Sequence, residues 1–175
     1  NINFDLVAFS MILMIFIIYS SYKQISTRSK RLYKSLLLVA LASTITDIMS
    51  AVAASYITNP YTFLSYATHI IHFLVQGLVP CMYCIFTYSM IYETGRLTLK
   101  RRLVIILPYS ITMLLVLTTP VTNFAFKFDE QGNYLRGWGQ IGTYSCAAFY
   151  IFTSCIIIMK NLRVITRLQK IAALF

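Results

Sequence analysis

Four side chains able to bind a ligand or carry a proton lie in two neighbouring apolar stretches: Asp47 in the first, and His69, His72 and Gln76 in the second. An unpaired carboxylate in hydrocarbon costs about 2.5–3.5 kcal/mol on insertion scales, so Asp47 must face a bundle interior, find a partner or take a proton. Spacings of three and four put His69, His72 and Gln76 on one helical face. Asp47 precedes Ile57 by ten residues and His72 follows Thr62 by ten. At about 1.5 Å rise per residue, both then lie roughly 15 Å below the same end of a helix pair. The Asn59-Pro60 dipeptide between them predicts a tight turn and antiparallel neighbours. Asp47 is therefore expected to meet His72, with His69 as second choice. Two readings stay open. The pair lines an outward-opening pocket that binds an unidentified small molecule or senses pH, or it is only a clamp between two helices. A metal would need ligands from a third helix, so no metal and no cofactor are assigned.

Other chemistry finds little support. Cys81 and Cys84 have CxxC spacing, but no second cysteine pair or histidine-rich loop accompanies them. They read as small buried hydrophobes, like Cys146 and Cys155. The chain contains no HExxH, no GxSxG, no P-loop and no dinucleotide fingerprint, and nothing in it reads as catalytic.

The elements that must position these residues follow from hydropathy. The 175 residues are 58% hydrophobic and 11% charged, with a mean hydropathy of +0.71. A soluble domain carries about 25% charged residues, and a chain this apolar could not cover its surface with polar groups. About 20 apolar residues cross a bilayer as a helix. Five such stretches are predicted, at about 2–22, 35–57, 62–92, 103–120 and 141–159, with a sixth starting near 170. The expected fold is an all-α polytopic bundle. Gly77 and Pro80 fall mid-way along the third stretch and predict a kink, a candidate hinge.

Between the fourth and fifth stretches, Phe124, Phe126 and Phe128 alternate with Ala125, Lys127 and Asp129. After Gln131-Gly132-Asn133, the residues Tyr134, Arg136 and Trp138 alternate again. Period-two alternation about a Gly-Asn turn predicts a short β-hairpin. Phe126, Phe128, Tyr134, Arg136 and Trp138 would form a lid on the mouth of the bundle, or lie at the headgroup layer.

Charge orients the bundle. The net charge of +10 sits in blocks: Lys23 to Lys34, Arg96 to Arg102, and Lys160 to Lys170. The alternate loops hold only Lys127 and Arg136, offset by Asp129 and Glu130. The positive-inside rule places the blocks in the cytoplasm and the N-terminus and hairpin outside a plasma membrane. Anionic headgroups at the cytoplasmic face are the expected partner of the blocks, and nucleic acid is not. The start at Asn1 and the apolar run at 171–175 read as the ends of a fragment of a longer protein.

Several segments also resemble a known family. They are Asn1 to Leu6, the loop from Ser26 to Arg31, Thr46 to Ser50, and Phe128 to Gly137. Together they resemble the multi-helix N-terminal sensor regions of Firmicute GGDEF-type diguanylate cyclases and related histidine kinases. The resemblance implies a six- to seven-helix input module, usually a homodimer, feeding a cytoplasmic output domain. It implies no ligand-binding residues. The rival reading is a transporter or permease subunit using Asp47 and His72 as a substrate or proton site, although no internal repeat is visible.

Overall fold

The structure, a computed structural model, describes residues 2–21, 28–56, 63–92, 99–129 and 134–162. Six helices and one hairpin follow in order: α1 (Ile2–Ser21), α2 (Arg28–Tyr56), α3 (Phe63–Ile91), α4 (Leu99–Leu117), the single turn α5 (Thr119–Thr122), β1 (Phe126–Phe128), β2 (Tyr134–Arg136) and α6 (Gly139–Lys160). Each of the five predicted stretches falls on a helix. Among the described residues, three helices are long and apolar enough to cross a membrane: Arg31–Ala54 within α2, then α3 and α6. The apolar part of α1, Phe4–Ser20, is shorter, and α4 opens with Lys100, Arg101 and Arg102. The Asn59-Pro60 and Gln131-Gly132-Asn133 turns, Glu93, Glu130, the Gly95-Arg96 stop, parts of the basic blocks and the sixth stretch lie outside the described residues.

α3 is the central helix, packing against α2, α4 and α6, while α1 packs on α2. It runs as one helix through Pro80. Gly77 is where α4 comes closest: an added Cβ would stand 2.5 Å from the tip of Met113 and 3.4 Å from the Tyr109 ring. The helices bury small and polar residues, among them Ser65, Thr87, Thr119 and Ser154, and turn large apolar ones outward, such as Met14, Val104, Leu114 and Phe152. This inverts the usual soluble distribution.

Two cores hold the bundle. One joins Phe73 of α3 and Val116 of α4 to Ala125, Phe126 and Phe128 of the hairpin. The other packs Cys81, Cys84 and Tyr150 with Ile105 and Tyr109. The four cysteines are free. Proline explains the second core. Pro108 has no N–H and its ring crowds the preceding turn of α4. At that point the Tyr150 hydroxyl enters from α6, donating to the Ile105 carbonyl at 2.6 Å and accepting from the Tyr109 N–H at 3.1 Å. It thus stands between two groups that an unbroken α-helix would pair with each other. Tyr109 in turn donates to the Leu74 carbonyl of α3 at 3.0 Å.

The two strands are antiparallel, with Phe126 opposite Arg136 and Phe128 opposite Tyr134. Their base is fused to the start of α6. Gly137 N–H donates to the Ala125 carbonyl at 2.9 Å, and Gly139 N–H to the Phe124 carbonyl at 2.7 Å. Both positions require glycine, because a Cβ on Gly137 would lie 2.2 Å from the Phe124 carbonyl oxygen and one on Gly139 2.9 Å from the Ala125 Cα.

Candidate functional site

α2 and α3 bring Asp47 and His72 together as their depths predict: the His72 Nε2 lies 3.6 Å from an Asp47 carboxylate oxygen. The imidazole is largely covered, at 12% exposure, while the carboxylate is 45% exposed. The pair therefore lies at an open edge of the helix packing. The His72 Nδ1 is buried without a hydrogen bond among the described residues. Besides Asp47, the titratable groups facing this imidazole are His69 and, from the first turn of α1, Asp5. Sequence reading passed over Asp5 because it lies at a helix start, where an acidic residue is ordinary. Its relevance comes only from the packing of α1 on α2.

His69 has a different environment. It is buried, and its Nδ1 lies 2.8 Å from the Ser65 carbonyl. A carbonyl only accepts, so Nδ1 carries the proton and Nε2 is the basic nitrogen. The ring stacks on Tyr134 with centroids 5.0 Å apart and meets Phe126 at 5.2 Å and Phe128 edge-on at 5.9 Å. Tyr66, one helical turn before Ile70, closes the cluster against both phenylalanines. The hairpin is thus seated on α3 with His69 beneath it.

Of the residues expected in the lid, Phe126, Phe128 and Tyr134 pack on α3. Arg136 and Trp138 are exposed, Trp138 at 82%. The alternation stops because the strand ends at Arg136 and Trp138 becomes the N-cap of α6. Tyr134 also accepts a 3.1 Å hydrogen bond from Gln140, tying the lid to α6. Burial pushes its phenol up to about 12, the Gln140 bond and the Arg136 charge oppose the rise, and Tyr144 adds to it.

Gln76 does not join Asp47. It lies in the wall of a groove of about 640 Å³ between α2, α3 and α6, together with Gly77 and Pro80. Among the described residues, no three His, Cys, Asp or Glu side chains are grouped to hold a metal ion. The arrangement offers a proton acceptor beside a half-open carboxylate, one helical turn from a histidine capped by the hairpin.

No family model, no curated protein and no solved structure matches this chain.

Proposed function

We propose that the chain is the membrane-embedded input module of a bacterial signalling protein, relaying an external or membrane-borne signal to a cytoplasmic output domain of the diguanylate cyclase or histidine kinase type. The apolar outer surface of the helices and the three span-length helices support the bilayer placement. The charge blocks support five spans with the N-terminus and hairpin outside. The single observation carrying the sensor reading is the Asp47–His72 contact, one turn from the histidine on which the hairpin sits. A ligand or proton arriving at that pair alters the face of α3 that holds the hairpin, and so biases two arrangements of the bundle.

The test has two parts. Sequencing the reading frame beyond Phe175 is expected to reveal an output domain after further helices. In the intact protein, Asp47→Asn is expected to leave the protein in the membrane and abolish the response of output activity to external pH and added ligands. Asp47→Asn with an unchanged response would sink the sensor reading and leave the pair as a clamp. The half-open carboxylate beside an imidazole also suits a proton-coupled transporter, and a proton flux into liposomes that vanishes in Asp47→Asn would favour that reading instead.

A further inference from the structure

A second concavity lies at the hairpin end of the bundle. It has a volume of about 390 Å³ and is walled by Arg136, Gly137, Trp138, Gln140, Ile141 and Tyr144. Tyr144 is also a wall of the 640 Å³ groove between α2, α3 and α6. The two spaces thus share Tyr144 as a wall. Arg136 and Trp138 bring a guanidinium and an indole to the wall of the notch. The groove is walled mostly by apolar residues, and small side chains stand in it at Ala40 on α2 and Ala147 on α6. Both volumes are in the range of small-molecule sites, about 300–1,000 Å³.

Length agrees with one occupant. From Trp138 to Ile151, which lines the groove, α6 advances about 20 Å. One leaflet of hydrocarbon is roughly 15 Å deep. A head held in the notch therefore leaves a tail running down the groove to about the bilayer midplane. Charge agrees as well. Arg136 stands opposite Phe126 at the base of the hairpin, while Asp129 lies beyond Phe128 at the turn end. At about 3.4 Å per strand residue the two ends are well separated, so the positive end of the hairpin is the one facing the notch. The adjoining Trp138, 82% exposed, and Tyr144, 54% exposed, are the residue types that settle at the headgroup layer.

We propose that this notch and the neighbouring groove together bind one anionic phospholipid, its phosphodiester against Arg136 and one acyl chain between α2, α3 and α6. The site rests on the bilayer placement proposed above but not on the sensor reading, since it shares neither Asp47 nor His72. Arg136 selects the charge of the head, and the small residues at 40 and 147 make room for the tail.

The test is native mass spectrometry of the intact protein from mild detergent, offered phosphatidylglycerol or phosphatidylcholine in mixed micelles, with inorganic phosphate in a separate arm. The wild type is expected to retain one phosphatidylglycerol. Arg136→Gln, at an exposed position, is expected to weaken that retention about fivefold, the effect of one basic residue near an anionic surface, and to leave phosphatidylcholine unchanged. Ala147→Phe fills empty space and is expected to lose both lipids. Equal retention by Ala147→Phe, an unchanged lipid preference in Arg136→Gln, displacement of the lipid by phosphate alone, or a lipid-free dimer would each overturn the site. Carbonate washing of the source membranes separates the two failures: release of the protein refutes the bilayer placement itself, whereas retention without lipid binding refutes only the site.

Discussion

Tyr134 links three parts of the molecule through one ring. It stacks on His69, accepts a hydrogen bond from Gln140, and pairs across the hairpin with Phe128. Its buried environment holds the neutral phenol, with the titration raised from 10.0 to about 12. A raised value in the folded protein means that the stabilisation is complete below pH 10.0 and is lost as pH climbs through about 12. The seating of the hairpin is therefore expected to loosen in that window. Fluorescence of Trp138, the single tryptophan, reads this directly. Tyr134→Phe keeps the ring and removes the titration, so its fluorescence should lack the alkaline step. A step of equal size in both proteins would assign the change to another tyrosine.

The glycines separate on similar grounds. Gly137 faces backbone, which cannot swing away, so Gly137→Ala is expected to cost about 1–3 kcal/mol, the range for overpacking. Gly77 faces the end of Met113, a flexible thioether. There the helix-propensity gain of about 1 kcal/mol for alanine outweighs the displacement of a methyl group. Thermal unfolding in detergent should show a lower midpoint for Gly137→Ala and an equal or higher one for Gly77→Ala. A marked loss in Gly77→Ala would mean that α3 needs its glycine for bending, as a hinge does.

At the scale of elements, α4 depends on α6. Tyr150→Phe removes a hydroxyl serving two backbone groups and leaves the Ile105 carbonyl and Tyr109 N–H without it. The expected cost is about 1–3 kcal/mol, the penalty for a buried polar group left unsatisfied. Pro108→Ala restores a helix able to close its own ladder, so Tyr150→Phe should cost less in that background. A double-mutant cycle measures the difference, expected to exceed about 0.5 kcal/mol. Additive effects would mean that the hydroxyl does not compensate for the proline.

Elements also show what could be read in advance. The helices were legible because apolar runs and their interruptions are local. The Asp47–His72 contact was legible because a short turn and equal depths leave a polar pair little choice. The hairpin's aromatic face was legible up to Tyr134. Beyond it, Gly137 and Gly139 change the direction of the chain through contacts with Phe124 and Ala125, and period-two counting cannot anticipate such a change. The insertion of Tyr150 into α4 was not legible at all. Pro108 announces a break 42 residues before Tyr150, but nothing local says which side chain will fill it. Asp5 was hidden in the same way, behind the packing of α1 on α2.

For the whole molecule, charge predicts orientation. The hairpin end holds Trp138 and the lone cations Lys127 and Arg136, whereas Lys100 and Arg101 begin α4 at the opposite end. If the basic end is cytoplasmic, a cysteine placed at exposed Leu135 should react with a membrane-impermeant maleimide on whole cells. One placed at exposed Arg101 should react only after lysis. The reverse pattern would invert the proposed topology and put the Asp47–His72 pair near the inner face. Cys155, the exposed native thiol, must first be replaced by serine so that its own labelling is not counted.

The Tyr150 hydroxyl sets an order of events during synthesis. α4 leaves the ribosome before the residue that satisfies its opened backbone exists. If α4 is one of the spans as proposed, unpaired backbone groups in lipid cost several kcal/mol each, and a nascent chain ending between α4 and Tyr150 has no partner for the Ile105 carbonyl and Tyr109 N–H. Such a chain should be held at the insertion machinery and cross-link to it, and extension past Tyr150 should release it. Pro108→Ala should allow release at the shorter length. Cross-linking of staged translation intermediates measures both, and equal release at every length would show that α4 settles into lipid without help from α6.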